Sequence, residues 1–337
     1  MSMKKPASLL AFVGALALVV TGPASVASPM LPGHLPAQDT PASSPVGDVN
    51  TALTSKDGQT QEADSPSQDP ARVVGIIVQL ADGTDRAAAL SSVNEAVAGI
   101  FPNASVSVER EYANVLDGFA LKAPAGSLDA IRKAPGVTAA FLEREGHVSD
   151  VAAVDAEGGT RASRVEGQDP ANLSAQLMMR TDQVTQKGEG TVIAVIDTGV
   201  DMTHQAFTPA LVATPALSED AVDALRPKLG PGTTGVYVNE KFPFAYDYAD
   251  GDNDASPAGA HGTHVAGITA ANGDQIMGIA PDAQIIVAKV ARSRGGGIPD
   301  SALLAALDDM ATLHPDAVNM SLGRTAGMDS DADTPFA

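Results

Sequence analysis

Cysteine is absent from the 337 residues, and so is tryptophan. Without thiols the chain has no disulfide framework, no thiolate nucleophile and no sulfur ligand for a metal. Aromatics are only 4% of the residues against 44% hydrophobic ones. A folded core must therefore be aliphatic, which suits an Ala, Val, Ile and Leu-rich α/β sheet. Basic residues are also scarce, with 21 Lys and Arg against 41 Asp and Glu and a formal net charge of -20. Phosphate binding needs a basic face, so nucleic acid is not an expected partner. An acidic surface favours solubility and attracts cations instead.

What is present begins with Lys4 and Lys5, the apolar run Leu9 to Val20, and the small residues Ser25-Val26-Ala27. The run is too short for a comfortable membrane span and reads as a signal peptide over 1–27, cleaved after Ala27. A mature form without a transmembrane span follows, secreted or wall-associated. Residues 28–70 are rich in Pro, Ser, Asp, Gln and Thr and read as a disordered linker.

Residues 71–149 carry strand, helix, strand, strand, helix, strand. The strands are Val73 to Leu80, Ala104 to Tyr112, Gly118 to Lys122 and Val137 to Leu142. The helices are Asp85 to Ala98 and Leu128 to Lys133, the second capped by Ser127. That order is the split arrangement of ferredoxin-like α+β modules. Residues 150–170 form a polar linker with two arginines, and a second unit runs over 171–337. It opens with a helix at Gln176 to Val184.

The pivotal stretch of that second unit is Thr191 to Asp201, TVIAVIDTGVD. Nearly continuous apolar residues from Val192 predict a buried strand of a parallel sheet, ending in Asp197. Thr198-Gly199 break it, and ligands of open α/β folds gather outside such carboxyl ends. Further strands are expected at Gln284 to Val290 and Ala317 to Leu322, with a helix at Ser301 to Leu313. Ahead of them and after Asp197 comes HGTHVAGITAA, starting at His261. Alone, Asp197 is an ordinary strand-end residue and His261 a capping or core histidine. His264 is structural, His204 packs, and no HExxH pattern points to zinc.

Asp-Thr-Gly, His-Gly-Thr-His-Val-Ala-Gly and Asn319-Met320-Ser321-Leu322-Gly323, in this order, resemble the subtilisin-like serine peptidases. The resemblance implies an incomplete subtilisin-like parallel sheet with helices on both faces. It implies Asp197 and His261 as two members of a catalytic triad acting on polypeptide substrates. Ser321, Leu322 and Gly323 would line the nonprime side of an extended substrate by strand addition. The module over 71–149 resembles the family's propeptide inhibitor, a chaperone partner whose tail lies in the substrate cleft. The segment Thr208 to Phe242 is an insertion, as in the cell-envelope proteinase and C5a-peptidase branch. No cofactor is required for this chemistry. Calcium is admitted as a structural ion at Asp247 and Asp250-Gly251-Asp252-Asn253-Asp254, although a solvated acidic turn explains that loop as well. None of Ser293, Ser301, Ser321 and Ser330 sits in a Gly-Thr-Ser turn. The chain therefore reads as the N-terminal portion of a peptidase precursor, truncated before its serine and inactive alone. Two other classes remain open, an inhibitor or chaperone module over 72–148 and a noncatalytic peptide-binding protein.

Overall fold

The computed structural model describes residues 69–148, 179–210, 212–273, 276–323 and 335–336. All of them belong to one contact unit, Glu62–Ala337. The expected signal peptide, nearly all of the first linker, the linker over 150–170, the start of the helix at Gln176 and Ser330 lie outside the described residues.

A four-stranded antiparallel sheet is formed by β1 (Val73–Leu80), β2 (Ser107–Tyr112), β3 (Gly118–Pro124) and β4 (Val137–Leu142), the central β1 and β3 being largely apolar. Its order is β2-β3-β1-β4. Helices α1 (Arg86–Ala98) and α2 (Leu128–Ile131) cover one face through Val93, Val97 and Ile131, packed on Ile76, Val78 and Leu121. Asp85 caps α1 by accepting from the Ala88 amide at 2.8 Å. Ser127 does not cap α2 as expected. Its hydroxyl donates to the Pro124 carbonyl at 2.6 Å, holding a preceding 3-10 turn instead.

The second sheet is parallel, in the order β10-β6-β8-β7, from β6 (Val192–Asp197), β7 (Phe244–Asp247), β8 (Gln284–Lys289) and β10 (Ala317–Asn319). The strand at β10 is shorter than the apolar run around it. Period-two geometry divides each strand between two cores. Val192, Ala194, Ile196, Ile286 and Ala288 face α5 (Asp300–Leu313) and α3 (Glu219–Leu225). Val195, Ile285 and Val287 face α4 (Ala260–Ala270) on the other side. This two-sided cover is the expected subtilisin-like α/β arrangement. In the described part of the Gln176 to Val184 segment Met179 is helical and Thr181–Gln183 form a 3-10 turn.

The free face of the antiparallel sheet packs on α5, where Ile77, Tyr112 and Ala120 meet Leu304. Asp308 of α5 is the anchor. Its carboxylate accepts the consecutive amides of Ala113, Asn114 and Val115 at 2.6 to 3.1 Å. At the other end of α5, Glu143 accepts from the amide and hydroxyl of Ser301.

Candidate active site

Asp197 ends β6 fully buried, and His261 is the second residue of α4. The His261 ring and the Asp197 carboxylate meet at 2.8 Å, Nδ1 to Oδ1. The same oxygen accepts the Thr198 amide at 2.7 Å. A carboxylate only accepts, so it holds the imidazole with its proton on Nδ1 and leaves Nε2 as the lone-pair nitrogen. Asp197 Oδ2 is buried without a hydrogen-bond partner.

The motif residues around this pair brace it. The Gly262 amide donates to Thr198 Oγ1 at 3.0 Å, and the Asp201 amide donates to Thr263 Oγ1 at 2.9 Å. Thus each motif's threonine is hydrogen-bonded to the other motif's backbone. Gly199 has φ of +92°, and a Cβ there would lie 2.7 Å from the carbonyls of Ala255 and Ser256. A Cβ on Gly262 would overlap the Gly199 carbonyl. The helix start can reach the strand end only because both residues are glycine.

His264 is exposed on α4. His204 does more than pack, since its Nδ1 accepts the Ala206 amide at 3.2 Å and caps a 3-10 turn. Among the described residues no serine hydroxyl bonds to the His261 ring. Ser293 bonds to Lys289, Ser301 to Glu143 and Ser321 to Asn319.

The acidic loop is organised by its own amides. Asp247 Oδ1 accepts from Ala249 and Asp250 at 2.9 Å, while Oδ2 takes Lys289 Nζ at 2.7 Å in a buried ion pair. Burial raises the Asp247 pKa even against these partners. Asp250 accepts from the Ser293 amide, Asp252 from Asp254 and Asp254 from Ser256. Among the described residues no group of three or more acidic or histidine side chains converges as a cation site. Nothing in the sequence singles out Lys289 as the partner of Asp247. Spacing cannot reveal that β7 and β8 set Asp247 opposite it.

A third feature is a crevice already filled by the chain itself. Beyond β4, β5 (Glu145–Gly146) pairs antiparallel with β9 (Ile298–Pro299). On its other side His147 and Gly323 exchange backbone hydrogen bonds of 3.2 and 3.3 Å. Of the three expected substrate residues, Gly323 makes this contact, Leu322 packs against the core, and Ser321 Oγ donates to Asn319 Oδ1 at 3.0 Å.

Residues 188–335 match the Subtilase family, Peptidase_S8. The PI-type proteinase of Lactococcus lactis subsp. cremoris is 28% identical over 67% of this chain and 11% of its own length. The C5a peptidase of Streptococcus pyogenes serotype M6 is 32% identical over 42% of this chain and 12% of its own. The chain thus spans about a tenth of the length of these curated relatives. Fervidolysin from Fervidobacterium pennivorans, a keratinolytic enzyme related to subtilisin, aligns with TM-score 0.47 and 18% identity over 77% of this chain and 37% of that one. With its motifs, its two-sided parallel sheet and these relatives, the stretch 188–335 is a peptidase S8 domain of the subtilase family.

Proposed function

We propose that this chain is the N-terminal portion of a secreted serine endopeptidase precursor. The observation that carries this reading is the 2.8 Å bond between His261 Nδ1 and buried Asp197. Nε2 of His261 takes the proton of an attacking serine hydroxyl and returns it to the leaving amine, while Asp197 fixes the ring tautomer and stabilises the imidazolium. Ser293, Ser301 and Ser321 are bonded elsewhere, so none of the described serines that follow His261 serves the relay pair as nucleophile.

The module at 71–149 is its propeptide, ferredoxin-like in element order, acting as folding chaperone and inhibitor. Support comes from the tail at Glu145 to His147, which fills the crevice by pairing on both edges as an extended polypeptide substrate would. Ser321 to Gly323 form one wall of that crevice. The linker at 150–170 is then the region cut on maturation. The loop at Asp247 to Asp254 is a self-bonded acidic turn, since Lys289 already neutralises its buried carboxylate. Millimolar calcium is accordingly expected to leave the melting temperature unchanged, and a rise of several degrees would restore the metal reading.

The test of the peptidase reading uses this domain joined to a serine-bearing second half of a subtilase sheet. Asp197→Asn should lower kcat by about 10⁴-fold and His261→Ala by about 10⁶-fold, each at little change in KM. Undiminished peptide hydrolysis in either variant would remove both residues from the mechanism.

A further inference from the structure

The crevice holds more than backbone. Arg292 Nε lies 3.2 Å from a carboxylate oxygen of Glu145, the first residue of the seated strand. Arg292 is presented by a tight loop in which its amide donates to the Gly297 carbonyl at 3.0 Å, with Gly295 and Gly296 both at positive φ. Gly297 is buried beneath the ion pair. A Cβ there would stand 2.5 Å from a Glu145 carboxylate oxygen and 3.0 Å from its carboxyl carbon. The loop therefore supplies a cation for the Glu145 side chain and, by lacking a side chain at 297, the space for it. The neighbouring position imposes no such limit, because a Cβ on Gly146 would sit in ordinary contact with the Gly323 carbonyl at 3.4 Å and the Ile298 Cβ at 3.9 Å.

We infer that Arg292 and Gly297 form a specificity subsite that selects polypeptide substrates with an acidic residue at the position Glu145 now occupies. The tail is the first ligand of this subsite, and a substrate strand takes its place once the tail leaves. The inference rests on the reading of the crevice as the substrate groove. The ion pair is about half exposed, so its selectivity is a few-fold rather than absolute. It also operates within an acidic protein, where Asp250 faces Arg292 from the adjoining turn. A lysine or arginine in place of Glu145 would meet Arg292 as a like charge.

Because the tail is itself the ligand, the preference can be measured in the chain as it stands. The probe is hydrogen exchange of the His147 amide, which donates to Gly323 and exchanges only when the strand leaves. Glu145→Gln should raise its exchange rate about 2- to 5-fold and Glu145→Lys further. In an Arg292→Glu background the order should reverse, with Lys at 145 the best protected. The same order of protection in both backgrounds would overturn the subsite while leaving the tail in the groove. Exchange of the parent His147 amide at the rate of an unstructured peptide would instead remove the tail from the groove, and the subsite with it.

Discussion

At the scale of residues, the decisive chemistry is one contact made possible by two missing side chains. Gly199 and Gly262 let the β6 turn and the start of α4 approach until Asp197 and His261 bond. Gly262→Ala should therefore separate the pair without touching either member. A Cβ would collide with the Gly199 backbone, so α4 must shift. The expected outcome is loss of the downfield Nδ1 proton resonance of His261 and destabilisation of about 2 kcal/mol, read by urea titration. A retained resonance would show that the helix start can yield elsewhere. These residues were legible in the sequence, because the two motifs carry their glycines and threonines at fixed offsets from Asp197 and His261. Lys289 and Arg292 were not. Their partners Asp247 and Glu145 come from other strands, and only tertiary register brings them together.

At the scale of elements, strand and helix order could be read from periodicity, whereas the fastening of the insertion could not. Thr208 to Phe242 sends only scattered side chains such as Val222 and Leu229 into the core, and single buried polar groups hold the backbone between them. Gln284 at the start of β8 accepts the amides of Ala216 and Leu217 at 2.7 Å and donates to the carbonyls of Leu217 and Glu240. Lys241 donates to the carbonyls of Pro281 and Ala283 at 2.7 Å. Four backbone groups lose their partner in Gln284→Leu, so a cost of about 3 kcal/mol is expected, with early exchange confined to Ala216 and Leu217. Uniform exchange across the sheet would mean that the insertion is held otherwise. The junction between the module and α5 is similarly polar. Burial acts to raise the Glu143 pKa, but the bonds from Ser301 and the charge of Lys122 outweigh it and hold the pKa below the usual glutamate value. A folded pKa below the unfolded one contributes stability above about pH 4.5 that is lost as pH falls through the folded value. Glu143→Gln should therefore cost about 2 kcal/mol at pH 7 and little at pH 3, measured as the difference between the two urea midpoints. An equal loss at both pH values would assign the effect to packing.

At the scale of the whole molecule, the buried ionisable groups give stability an alkaline profile that composition alone would not suggest. Burial lowers the Lys241 pKa to about 8. Between about pH 8 and the unfolded lysine value near 10.4 the unfolded chain holds a proton that the native chain has released, so stability rises with pH. Burial raises the phenols of Tyr112 and Tyr248 well above their ordinary value of 10.0. Above pH 10 the unfolded chain releases phenolic protons that the native chain keeps, so stability falls as pH rises further. Tyr112 donates to the Ser301 carbonyl across the junction, and Tyr248 donates to Asp309. The fall should therefore loosen the module and the sheet domain together. Stability from denaturant titration at stepped pH is expected to climb from pH 8, peak at about pH 10 and then drop. Lys241→Met should flatten the climb and leave the drop, whereas Tyr112→Phe should soften the drop and leave the climb. A climb that persists in the Lys241 variant would trace it to another group and deny the buried ammonium its part.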